Sequence, residues 1–383
     1  MLSLNKLIKM KQLRLPLFTM IMFAGLLNLS SCNTSTTITL PGSWDLLGGF
    51  DGVTRSGATG FVIGNYAYMG TGYNFDLPAR LTDFWRYDPQ IDTWVQMAKF
   101  PGLPRSNAVG FSLNGKGYIG TGIGGNDINN PLPLGDFWEF DPSVGSKGKW
   151  TRIADFGRSA TYDTALARYG AVAFTVGKRS FVGGGYNLAG LKDMWEYSPA
   201  TNLWIQRPSL GGSKRQNGFV FVIEPYAYVG GGNNNGSYVT DFYRFDPTAL
   251  SDTTKNPWFA LNGLTGKDLN GNLIVQPRPR ELACAWAISG FGYLSCGSIG
   301  APQSDTWQYT PPTVSKNGIV TAGDIWFEYF SFSNNTPVVG VARDSGFGFA
   351  IGSFGYITTG KSGSRRLDDC WVFNPLGVEP DNK

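Results

Sequence analysis

The sequence predicts an all-β fold, a six-bladed β-propeller closed by a strand from the N-terminal side of the first repeat. Three observations carry this expectation. One pattern of about 50 residues recurs six times along the chain. The sixth copy lacks its last element, and a matching residue stands before the first copy. The composition, with 52 glycines, 14% aromatics and only 16% charged residues, favours short strands and tight turns over helices.

Each repeat starts at an arginine: Arg55, Arg105, Arg168, Arg215, Arg280 and Arg343. Six residues on stands an aromatic (Phe61, Phe111, Phe174, Phe221, Trp286, Phe349), and thirteen on another (Tyr68, Tyr118, Phe181, Tyr228, Tyr293, Tyr356). Seventeen on is always glycine, from Gly72 to Gly360. The stretch between reads as a hairpin. Ala108 to Leu113 is small and apolar, as crowding near a propeller axis requires, and Asn114-Gly115 suits a two-residue turn with positive φ. Gly117 to Gly120 returns as the second strand.

A third strand follows as Asp-x-Trp-x-aromatic-x-Pro. Its Asp residues are Asp83, Asp136, Asp193, Asp241, Asp305 and Asp369, and the Pro ends the strand where a missing N–H costs nothing. A sixfold Asp at a strand start reads as a turn cap before it reads as a metal ligand. The fourth strand carries one Trp: Trp94, Trp150, Trp204, Trp258 and Trp326. The sixth repeat ends without one. Trp44 stands 11 residues before Arg55, the spacing of Trp94 to Arg105, so residues 42–47 should complete the last blade and close the ring. The tryptophans are thereby assigned to core packing.

Residues 1–32 read as a targeting segment and lie outside the fold. Lys6, Lys9, Lys11 and Arg14 precede an apolar run, Leu15 to Leu29, too short to favour a membrane span, and Met10 is a second possible start. Leu29-Ser30-Ser31-Cys32 resembles a bacterial lipobox, which implies cleavage before Cys32 and lipid on its thiol; the alternative is an ordinary cleaved signal with an incidental Cys. Residues 33–41 read as a tether, 42–377 as the propeller and 378–383 as a tail. Without the four leader cations, 28 basic residues face 28 acidic ones, so nothing points to nucleic acid or to a polybasic membrane patch. A monomer anchored in the cell envelope by its N-terminal lipid is the expectation. Cys284 and Cys296 fall on opposite faces of adjacent strands in the expected hairpin register, which disfavours a disulfide.

The pattern resembles the kelch repeat over Trp44 to Pro375. The family's paired glycine stands at Gly184-Gly185 and Gly231-Gly232, with Thr71, Thr121, Thr359 and Cys296 replacing the first glycine elsewhere. The resemblance implies that the first strand lines the central channel. It also implies that ligands meet the face formed by the loops between strands two and three and between blades. Candidate binding residues on that face are Asn126, Asp127, Tyr186, Asn233, Asn234, Asn235, Tyr238 and Arg365, and Arg366 lies beside them. The six repeat arginines should ring the channel mouth there, either as anion-binding groups or as structural ones held by loop carbonyls and aromatics. Glu281 and Asp344 are candidate acid–base groups.

The chain has no histidine, which excludes hydrolase triads of the Ser-His-Asp type and His-ligated zinc. The copper chemistry of the related galactose oxidases therefore does not carry over, and no cofactor or metal is expected. Two functions remain: a lipid-anchored module presenting its loop face to a glycan or protein, and a sugar mutarotase. The second rests on similarity to sialic-acid mutarotases, which are exported six-bladed kelch propellers.

Overall fold

The computed structural model describes residues 40–377 apart from 78, 126, 128, 162, 315–319 and 332–339. The leader with Cys32, and Asn126, lie outside the described residues. Six four-stranded antiparallel sheets, numbered here as blades one to six, follow the six repeats. Blade one is Thr59–Ile63, Tyr66–Gly70, Phe84–Asp88 and Thr93–Gln96, from axis to rim. The inner strands of the others are Val109–Leu113, Val172–Val176, Phe219–Ile223, Cys284–Ile288 and Phe347–Ile351. Blade six takes its outer strand, Ser43–Leu46, from the N-terminal side, with Trp44 opposite Phe373. The expected ring closure is therefore present. The Asn114-Gly115 turn adopts positive φ at both residues, 53° and 76°, and pairs Leu113 with Lys116 as expected.

The core lies between blades. Six clusters of buried side chains fill the six interfaces, each drawing on two neighbouring blades. At the first interface Phe61, Tyr68 and Phe84 of blade one meet Phe140 and Trp150 of blade two. Flat rings approach the backbone of the next blade so closely that a Cβ at Gly117 would stand 1.8 Å from Phe61. Trp44 is 1% exposed and belongs to the cluster between blades five and six, so closure buries an aromatic worth about 2–3 kcal/mol in transfer free energy alone.

The blades are also joined by backbone. The glycine seventeen after each arginine donates its N–H to the next blade's arginine carbonyl: Gly72 to Arg105, Gly122 to Arg168, Gly185 to Arg215, Gly232 to Arg280, Gly297 to Arg343 and Gly360 to Arg55. These glycines have φ between 92° and 102°. A Cβ at Gly232 would meet the Gln216 carbonyl at 2.5 Å. Both the left-handed conformation and the close approach explain why this position is glycine in every repeat.

Cys284 and Cys296 are unbridged, as expected, although strand register does not by itself account for it. Cys284 does oppose Ser295, but the strand ends there and Cys296 turns into the left-handed region at φ 63°. Side-chain alternation ends at that residue, so strand register assigns Cys296 no face opposite Cys284. Hydrogen bonding to Cys296 and burial hold the Cys284 thiol well above the ordinary range. Cys284, Cys296 and Cys370 are buried free thiols.

Candidate functional site

The six repeat arginines do not line the channel mouth. They are 0–2% exposed and reach outward into their own blades. There each pairs with the Asp of the third strand: Arg55 with Asp83, Arg105 with Asp136, Arg168 with Asp193, Arg280 with Asp305 and Arg343 with Asp369, at 2.5–2.8 Å, and Arg215 with Asp241. Each Nη1 also donates to the carbonyl sixteen residues on, at 2.9–3.1 Å. Arg55, Arg105 and Arg168 stack on Phe50, Phe100 and Phe156. Buried and ion-paired, and saturated save for Nε of Arg215, these guanidinium groups are not open to a ligand; of the two sequence readings, the structural one describes their geometry.

The Asp residues are likewise ion-pair partners and not turn caps. In five blades the Trp two residues on donates its indole N–H to the same carboxylate, at 2.6–2.8 Å. Blade four has Tyr243 there, and Asp241 accepts from the Ser213 N–H instead. Burial pushes the carboxyls of Asp83, Asp136, Asp193, Asp305 and Asp369 up. The hydrogen bonds and charge of the arginines outweigh it and hold them below the usual carboxylate range.

What does ring the axis is backbone. Two residues after each arginine stand Gly57, Asn107, Gly170, Asn217, Leu282 and Ser345, all left-handed with φ between 53° and 63°. Each donates its N–H to the carbonyl of its counterpart in the preceding blade, and Gly57 donates to Ser345, closing a circuit of bonds at 2.7–3.0 Å. These residues and the small ones beside them line an axial cavity of about 140 Å³. They form the floor of the loop face.

The residues just before the floor positions stand around it: Ser56, Ser106, Tyr169, Gln216, Glu281 and Asp344. Asn217 Nδ2 donates to Glu281 Oε2 at 2.9 Å, and Asn233 Nδ2 to Oε1 at 3.4 Å. Asp344 Oδ1 accepts from the Ser345 hydroxyl at 2.8 Å and lies 3.5 Å from Lys361 Nζ. The Tyr169 and Tyr186 rings lie 5.5 Å apart, and the Tyr186 hydroxyl donates to the Leu188 carbonyl. Glu281, Asn233 and Asn217 thus meet, while Asp344 belongs to a separate cluster one blade on.

The remaining candidates scatter over the loops. Asn233 Oδ1 accepts from the Gly236 N–H and Asn235 Oδ1 from the Gly190 N–H of blade three, while Asn234 Oδ1 is buried without a partner. Tyr238 pairs in register with Asn233. Asp127 caps an exposed turn by accepting from the Asn129 N–H, and Arg365 is exposed in blade six's loop. Sequence reasoning missed Asn107 and Asn217; their signal was a run of Gly and Asn at one repeat position. It also missed Arg80, which shares the Tyr73 ring with Arg366. Among the described residues no cluster of His, Cys, Asp and Glu suits a metal ion, and no helix is long and apolar enough to cross a membrane.

Fold and loop face together define the class: an all-β, six-bladed β-propeller with a recessed axial face. The chain is similar to the solved structure of YjhT, with 16% identity and a TM-score of 0.64, over 88% of this chain and 98% of that one. At that identity the likeness shows the propeller fold. No family model matches the sequence, and no curated protein matches it.

Proposed function

We propose that this chain is a kelch-type binding module that takes up a glycan on its loop face and is held in the cell envelope by lipid on Cys32. The reading rests above all on the Asn217–Glu281–Asn233 network at the edge of the axial floor. Sugar hydroxyls both donate and accept, and amide and carboxylate groups around a concave floor offer both, with Tyr169 and Tyr186 nearby as apolar surfaces. A protein is the competing occupant of the same face. A glycan array probed with residues 33–383 tests the proposal. Binding that falls at least tenfold in Asn217→Ala or Asn233→Ala supports it. An empty array, together with a pulled-down partner indifferent to mutation of Asn233 to Asn235, rejects it.

A second reading is supported by the environment of Glu281. A carboxylate held by two amides on a face otherwise free of histidine is placed to move a proton at a sugar hydroxyl, as the resemblance to sialic-acid mutarotases would require. Glu281 is the base in this scheme and Asp344 the second candidate; the repeat arginines take no part, being buried. Freshly dissolved sialic-acid anomer followed by NMR discriminates. Equilibration at the buffer rate, or at a rate unchanged in Glu281→Gln, removes the enzyme reading.

A further inference from the structure

Two guanidinium groups that gather on one aromatic ring of the loop face have no carboxylate partner among the described residues. Arg80, from blade one's loop, and Arg366, from blade six's, both lie over Tyr73, at 5.7 and 5.5 Å from the ring centre. Arg366 also lies over Phe75, which is 52% exposed. Arg366 Nη1 donates to the Ser364 carbonyl at 2.7 Å, but its Nε, and Nε and Nη1 of Arg80, are buried without a partner. The contrast with the six repeat arginines is chemical: each of those has its own Asp. The nearby Lys361 is already matched by Asp344.

Stacking on an aromatic holds a cation by about 0.5–2 kcal/mol, but two cations gathered on one ring repel each other and are partly stripped of water. Burial alone already lowers the pKa of Arg80. An anion between or beside the two would relieve both costs, and guanidinium edges match planar or tetrahedral oxyanions.

We propose that Arg80, Tyr73 and Arg366 form a clamp for one carboxylate or sulfate group of an acidic glycan, with the exposed ring of Phe75 against the sugar's apolar face. This rests on the glycan reading above and narrows it to acidic sugars. The test uses residues 33–383 and titrates glucuronate, sodium sulfate and glucose, each at fixed ionic strength, by calorimetry and thermal shift. Glucuronate or sulfate should bind at least tenfold more tightly than glucose, the better of the two telling which oxyanion is read. The preference should vanish in Arg80→Gln/Arg366→Gln, whose melting temperature in chloride should match the parent.

Equal binding of glucuronate, sulfate and glucose to the unaltered protein overturns the clamp without any variant. So does a preference that survives the double substitution. If the anions bind and the glycan array stays empty, the clamp stands and the glycan reading falls. If neutral glycans bind through Asn217 and Asn233 and the anions do not bind, the glycan reading stands and the clamp falls.

Discussion

At the scale of single residues, this propeller is organised by arginines that resemble binding groups and act as rivets. Each ties the start of an inner strand to the Asp of the third strand, with a carbonyl and, in five blades, an indole completing the bonds. Removing one partner of such a pair strands a buried charge, which typically costs about 3–5 kcal/mol. Asp136→Asn is therefore expected to lose stability of that order in urea unfolding, because it strands a wholly buried guanidinium, and Arg105→Leu no more, because the carboxylate it leaves is partly exposed. The acid response follows from the same pairs. Carboxyls held below their unfolded value stabilise the fold above about pH 4, and that contribution is lost as pH falls through their folded values. The melting temperature should fall steeply below about pH 4 and hold level between pH 5 and 8; a flat profile down to pH 3 would contradict the pairing. Leu282 is the odd member of the axial ring, a bulky side chain held at φ 57°. Leu282→Asn, which copies Asn107 and Asn217, should raise stability by about 1 kcal/mol in the same assay.

At the scale of elements, the blades were legible because a repeat repeats its errors too: six copies of one pattern average out the ambiguity of any single strand. The outer strand of blade six was legible from the spacing of Trp44 alone. The Arg–Asp pairing was not. Both residues recur six times, yet the loop between strands two and three changes length, so their separation runs from 25 to 31 residues and no fixed spacing links them. The axial ring was hidden for another reason. Its six members share a backbone conformation and no side chain, and a pattern of φ angles leaves only a faint trace in the letters. The unbridged cysteines were legible, but only through period-2 alternation carried one residue past the end of a strand. On the seam, Trp44→Ala is expected to cost about 3–5 kcal/mol by cavity formation. It should also raise amide exchange in Ser43–Leu46 and Cys370–Asn374 before any other blade; uniform exchange across the blades would argue against a weak seam.

At the scale of the whole molecule, the loop face carries chemistry that differs from blade to blade on a scaffold that does not. The amide–carboxylate network sits at blades four and five and the two unmatched cations at blades six and one, so the candidate ligand contacts lie where the repeat departs from itself. Shared positions turned out structural, and departures are where to look for function. The seam has a further consequence for the order of events as the chain folds. Trp44 pairs with Phe373, near the other end of the sequence, whereas blades one to five pair strands within one repeat. Bringing together ends separated by some 330 residues carries a chain-closure cost of about 5 kcal/mol that local hairpins do not meet. The strand that carries Trp44 must therefore wait, its indole uncovered and its backbone unpaired, until Cys370–Asn374 has been made, and only then can the ring close.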